Sequence, residues 1–141
     1  IDAVLMGGDG WPSDTLFEMA GSAIEGSYVV NHFDYNDPAA SEVTEAYTAK
    51  YGVAPEINAY MVRDAFQLLI AAIEKANSAD SEAIAAALTQ VEVAGVTGTI
   101  HLGEDTHDPV GKEAAMQQIV KSDSAADGYE YKFIMKYSPD K

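Results

Sequence analysis

Ala3-Val4-Leu5-Met6-Gly7-Gly8-Asp9-Gly10-Trp11-Pro12-Ser13-Asp14 is the stretch that sets the fold class. An apolar run from Ala3 ends in glycines at Gly7, the pattern of a buried strand running into a loop. Ser13 or Asp14 then offers a side-chain oxygen to orphan amides and starts a short helix to about Ala20. Leu16, Phe17 and Ala20 form its inward side. Ser27–Phe33 is β-branched and aromatic enough for a second strand. The chain therefore opens as strand, helix, strand, an α/β beginning.

Downstream, Asp37-Pro38 supplies a capping acid followed by Pro at the first helical position. That helix runs to about Tyr51, with Val43, Ala46, Tyr47 and Ala49 as its apolar stripe and Gly52 as a left-handed stop. Ile57–Ala76 is the longest helix. Met61, Ala65, Leu68, Leu69, Ala72 and Ile73 form one face, and Val62, Phe66 and Ile70 widen it, so the reading is a largely buried helix. Asp80 caps a third helix, about Ser81–Gln90, with Ile84, Ala87 and Leu88 inward. Strands then follow at Val96–Leu102, Met116–Val120 and Tyr129–Tyr137. In the last, Tyr129, Tyr131, Phe133, Met135 and Tyr137 alternate with mostly polar residues, giving one apolar face. The order is β-α-β, three helices, then three strands. Three consecutive helices need a surface to pack on, and two preceding strands are too few to supply it.

The 141 residues suffice for one compact domain with a core, and 48% hydrophobic content is that of a folded protein. No apolar run of about 18 residues exists to span a bilayer. The 23 acids against 8 bases leave a net charge of −15. A phosphate backbone or an anionic membrane surface is repelled by such a chain, so nucleic acid is excluded as a partner. The acidity suits solubility outside the cytoplasm. With no cysteine there is no disulfide, no thiolate metal site and no thiol catalysis. The chain opens at Ile1 with no signal-like segment, which reads as a fragment or a processed form.

The chemistry-bearing residues are few. Gly7-Gly8-Asp9-Gly10 lacks the third glycine of a dinucleotide fingerprint, Ser13 standing in its place. The Gly-Gly-Asp-Glu-Phe signature of nucleotide cyclases fails at Gly10-Trp11. The loop does lie at the C-terminal end of a strand, where open α/β sheets bind ligands. Asp9 there suits an ammonium group, and Trp11 an apolar or cation–π wall. A tight turn with Asp9 capping the next helix fits equally well. His32, His101 and His107 show no metal or catalytic spacing and read as structural or solvated. Glu104, Asp105 and Asp108 lack the calcium-loop pattern and read as a solvated turn. Arg63 suits a carboxylate clamp, but its neighbour Asp64 favours a surface ion pair. No nucleophile elbow or Ser-x-x-Lys is present. Catalytic, metal and cofactor sites are all read as none, and the chain as not an enzyme. An enzyme working through Asp9 requires one of the three histidines within hydrogen-bond reach of it.

The loop Gly7–Trp11 is followed by Ala20-Gly21, Glu25-Gly26 and Tyr28-Val29-Val30. Then come Ala46-Tyr47, Lys50-Tyr51-Gly52, Asp64-Ala65 and Gly95–Ile100. In this order, over nearly the whole chain, they resemble the C-terminal portion of solute-binding proteins of ABC importers, in the branched-chain amino-acid, type I periplasmic-binding family. Arg63 departs from the tyrosine usual before Asp-Ala. The resemblance implies a fragment of a two-lobed receptor that closes on a small solute, commonly an amino acid, and delivers it to an ABC permease. It implies a periplasmic or extracellular location, with a lipid anchor through a missing N-terminal segment left open. It assigns residues 1–31 to the second lobe, 32–112 to first-lobe helices and a return strand, and 113–141 to the second lobe again. It places Asp9 at the ligand ammonium, Gly10 and Trp11 beside it, and Asn58, with Tyr60 a weaker candidate, on the opposite side. The sheet that covers the helices in such receptors is not in this sequence. Bare apolar faces of that size imply self-association, segment swapping or repacking. An extracellular sensing module of the same fold on a signalling receptor is the alternative function.

Overall fold

A computed structural model describes residues 3–34, 36–125 and 127–138. Ile1, the last three residues and the Asp14 side chain, which the sequence reading touches, lie outside the described residues. The chain divides into two compact units, one of residues 3–34 and 113–138, the other of residues 36–112. Among the described residues no helix is long and apolar enough to cross a membrane.

The first unit is a four-stranded mixed sheet with one helix against it. Its strands are β1 (Met6–Gly7) and β2 (Tyr28–Asn31), with β5 (Ala114–Lys121) and β6 (Tyr129–Tyr137) from the end of the chain. The order is β1-β2-β5-β6, with β1 and β2 parallel and the other two pairs antiparallel. Period-two alternation puts Val29 and Asn31 of β2 on one buried face with Ala115, Gln117 and Ile119 of β5. Helix α1 (Asp14–Ala20) begins where Ser13 Oγ accepts the Leu16 amide at 3.3 Å. It contributes Phe17 to a core with Ile24, Val29 and Ile119, which Trp11, Leu16, Ala20, Tyr129 and Tyr131 complete. The other end of that face is polar: buried Gln117 donates from Nε2 to Asp34 Oδ1 at 3.2 Å.

The expected alternation of β6 survives only in part. Tyr129 and Tyr131 are half-buried, whereas Phe133, Met135 and Tyr137 are exposed. A bulge moves Met135 and Tyr137 to the other face, while Phe133 stays on the Tyr131 side, opposite Gln117, and is exposed there. Met116 pairs with Met135 but Gln117 pairs with Phe133, so Ile134 is an extra residue and the period-two pattern breaks there.

The second unit holds α2 (Ser41–Tyr51), α3 (Ile57–Ala76), α4 (Ser81–Leu88) and a hairpin, β3 (Glu92–Gly95) with β4 (Gly98–His101). Asp37 caps a preceding 3₁₀ turn, Pro38–Ala40, rather than the α-helix itself. No side chain of α2 is fully buried, contrary to the expected inward stripe. The helix is tied instead by a 2.6 Å hydrogen bond between Thr44 Oγ1 and the Tyr60 hydroxyl. Such a bond is worth about 1 kcal/mol net, so α2 is the least anchored of the three. Asp80 caps α4 through the amides of Glu82 and Ala83, as its sequence indicates.

Helix α3 starts and stops where its sequence predicts, but its burial differs. Ile57, Tyr60, Asp64, Leu68 and Ala72 form the buried stripe. Val62, Phe66, Leu69, Ile70 and Ile73 are exposed, Phe66 at 60%. The apolar girdle of this helix thus has a covered side, packed on α4 and β3, and a bare one.

The buried stripe contains a carboxylate. Asp64 is 0% exposed, and Arg63 Nη1 donates to its Oδ1 at 3.1 Å. The expected surface ion pair is therefore buried on its acidic side. The reason is the hairpin turn: the Val96 amide donates to Asp64 Oδ1 at 3.0 Å and the Thr97 amide to Oδ2 at 2.7 Å. Gly95 makes this approach possible, because a Cβ there would overlap the Asp64 carboxylate. Lys112 Nζ closes the cluster on Thr97, donating to its carbonyl at 2.8 Å and to Oγ1 at 2.7 Å. Burial pushes the Lys112 ammonium below the ordinary lysine range, and the Asp64 charge pulls it part of the way back.

Candidate functional site

Parallel pairing of β1 and β2, with Met6 opposite Tyr28 and Gly7 opposite Val29, brings the C-terminal ends of both strands to one edge. Each strand runs out into a loop there. After β1 comes Gly8-Asp9-Gly10, closed by a 3.0 Å bond from the Trp11 amide to the Gly8 carbonyl. Gly7 is required: a Cβ would collide with the Trp11 indole, which folds back over the strand end. Trp11 is half-buried and packs on the Phe17–Ile119 core, so the same core holds one wall of the loop in place. No side chain stands within 4 Å of the position a Gly10 Cβ would take, and Asp9 is 64% exposed. The loop thus presents a carboxylate to solvent beside an aromatic ring.

After β2, Asn31 is buried and its Oδ1 accepts the His32 amide at 2.9 Å. This fixes the backbone that carries the imidazole. His32 Nε2 then lies 3.0 Å from Asp9 Oδ2. His32 is neither purely structural nor merely solvated, as its lack of motif spacing suggested. The separation of 23 positions in sequence hides the contact, and only the parallel register could have exposed it. Asp9, Gly10 and Trp11 therefore share one loop with His32 against it.

The remaining candidates belong to the second unit. Asn58 is exposed in the first turn of α3. Tyr60 is 1% exposed and its hydroxyl meets Thr44, so it serves the packing of α2 on α3. His101 donates from Nδ1 to the Val91 carbonyl at 3.2 Å, a bond within the hairpin region. His107 has a positive φ of 59° in the turn after β4. Among the described residues no group of acids and histidines is placed to hold a metal ion.

A carboxylate paired with an imidazole is half of a proton-transfer device, but no serine or threonine hydroxyl is bonded to this pair among the described residues. What the arrangement does offer is a negative charge with one oxygen occupied, an adjacent aromatic face, and glycine backbone a ligand can approach closely. These are features that a small cation could use.

The comparisons with known proteins agree with a binding rather than a catalytic fold. Residues 2–125 match the family model described as periplasmic binding protein, and the chain belongs to that family, one of non-enzymatic solute-binding proteins. Its fold is that of the type I, branched-chain amino-acid group of ABC-transporter receptors. A leucine-binding protein from Thermotoga maritima superposes with a TM-score of 0.80 at 27% identity, over 99% of this chain and 39% of its own. A leucine-, isoleucine-, valine-, threonine- and alanine-binding protein from Brucella ovis, in a closed conformation, gives 0.75 at 19%, over 91% and 35%. A solute-binding protein from Rhodopseudomonas palustris, in complex with 3,4-dihydroxybenzoic acid, gives 0.76 at 22%, over 96% and 37%. The chain thus spans well under half the length of these solved relatives. No curated protein matches it.

Proposed function

We propose that this chain is part of an extracytoplasmic receptor of an ABC importer, and that the solute is an amino acid whose ammonium meets Asp9. The exposed Asp9 carboxylate beside Trp11, at the C-terminal end of β1, carries the reading. An ammonium fits it in charge, and the indole offers the apolar or cation–π contact that excludes water. Gly10 leaves the backbone open beside it, and the family resemblance adds Asn58 as a ligand-contacting residue. In this reading residues 1–31 and 113–141 belong to one lobe and 32–112 to the other. Lobe closure on the solute is the mechanism, with no bond made or broken. The cargo then passes to a membrane permease.

The Rhodopseudomonas relative binds an aromatic acid with no ammonium. Such an anion would be repelled here by Asp9, in a chain already at net −15. Amino acids therefore rank ahead of aromatic acids. A thermal-shift screen of the full-length receptor against amino acids and benzoates tests this. An amino acid at a hundred times its Kd stabilises the native state by about 2.7 kcal/mol, a shift of several degrees. Stabilisation by benzoates alone would reverse the ranking.

The bare side of α3 bears on the isolated chain. Ala59, Val62, Phe66, Leu69 and Ile73 recur at alternating three- and four-residue intervals, the spacing of a helix–helix seam. We infer that the 141-residue chain by itself pairs with a second copy through this seam. Sedimentation velocity is expected to show a concentration-dependent dimer, and the Phe66→Glu, Leu69→Glu double variant a monomer. A wild-type chain monomeric at tens of micromolar would rule the seam out.

A further inference from the structure

We propose that His32 is a positioning residue for Asp9, fixing which carboxylate oxygen a ligand cation meets. The inference rests on the amino-acid reading above and extends it to a second loop.

Asp9 sits in a loop whose neighbours are glycines, so nothing on its own loop holds its side chain. His32 is its one side-chain partner among the described residues, through Oδ2 at 3.0 Å. Their exposures differ in a telling direction. His32 is the better anchored, at 37% against 64%, and its backbone is held by buried Asn31. The imidazole is thus the fixed member and the carboxylate the oriented one.

Chemically, a neutral imidazole with its proton on Nε2 donates to Oδ2 and leaves Oδ1 to accept from the ligand. One occupied oxygen leaves capacity for one ammonium, held in one direction. It also restricts the χ1 and χ2 freedom that an isolated aspartate would lose on binding. A site built this way favours a singly charged α-ammonium over a free inorganic cation, which would engage both oxygens.

The test uses the full-length receptor that carries this chain, with L-leucine and its analogue lacking the amino group, 4-methylpentanoate, as calorimetric probes. His32→Leu is expected to weaken leucine about tenfold, the worth of one lost hydrogen bond. It should leave the 4-methylpentanoate affinity unchanged. His32→Gln, whose amide nitrogen can take the place of Nε2, is expected to restore leucine binding to within about threefold of wild type. A merely structural role for the ring would depress both probes together and would not be rescued by glutamine. Asp9→Ala is the control that separates the two ideas. Leucine lost in Asp9→Ala but retained in His32→Leu overturns the role of His32 alone. Leucine unaffected by Asp9→Ala removes the amino-acid reading, and the role of His32 with it.

Discussion

Asp64→Ala is expected to lower the stability of the helical unit by roughly 2–4 kcal/mol, the largest folding effect of any single side chain in that unit. Two backbone amides, of Val96 and Thr97, lose the carboxylate that holds them at 3.0 and 2.7 Å, their one acceptor among the described residues. Arg63 loses a partner at 3.1 Å but keeps Gln67, also at 3.1 Å. Each buried amide left without a partner costs about 1–3 kcal/mol, and relief of the desolvated carboxylate offsets part of the sum. Asp64→Asn keeps one acceptor oxygen and should fall near half the loss. Urea unfolding followed by far-UV circular dichroism reads this directly, because three of the four α-helices among the described residues lie in that unit. Losses under about 0.5 kcal/mol for both variants would mean the turn holds without Asp64. Lys112 adds a pH signature. Its folded-state pKa is lowered, so the unfolded chain binds more protons and stability rises with pH across the interval up to the ordinary lysine range. Removing Asp64 removes the charge that opposes this lowering. The alanine variant should therefore recover part of its deficit in alkaline solution, starting at a lower pH than wild type.

The same carboxylate explains where sequence reading failed. The limits of α3 were legible because they are local: a twenty-residue apolar pattern that stops at Asn77 in a left-handed conformation. Asp80 at the head of α4 was legible for the same reason. The hairpin was not. Val96 and Thr97 are β-branched and read as strand, yet they are the two-residue turn between β3 and β4. Turns of this kind normally announce themselves with Asn-Gly or Asp-Gly. Here the acceptor comes from Asp64, 33 residues away from Thr97, so no local pattern records it. The face of α3 was misread because a wide apolar girdle says how much surface wants cover, not how much obtains it. In the first unit the Gly7–Trp11 loop was readable as a loop at a strand end, since glycines there are a local signal. His32 was not, since its relation to Asp9 exists only through strand pairing.

The largest binding effect is expected at that loop. In the full-length receptor, Asp9→Ala should weaken an amino-acid ligand by about a hundredfold or more, some 3 kcal/mol. That is the range for stripping the counter-ion from an ammonium enclosed away from water. The magnitude depends on enclosure. At 64% exposure Asp9 in this chain meets water freely, and an ion pair there would be worth under about 1 kcal/mol. Only a site that closes can raise the figure, so the size of the loss measures closure as well as contact. Asp9→Asn refines the test: it keeps a hydrogen-bond acceptor and removes the charge. If charge carries the affinity, asparagine should lose nearly as much as alanine. If direction carries it, asparagine should retain most of the binding. An aromatic carboxylate gives the opposite sign, since deleting Asp9 removes a repulsion and should tighten it modestly. Isothermal titration of both variants with L-leucine and with benzoate separates these cases. Unchanged leucine affinity with tighter benzoate would assign the site to an anionic aromatic solute, with Trp11 as its principal contact.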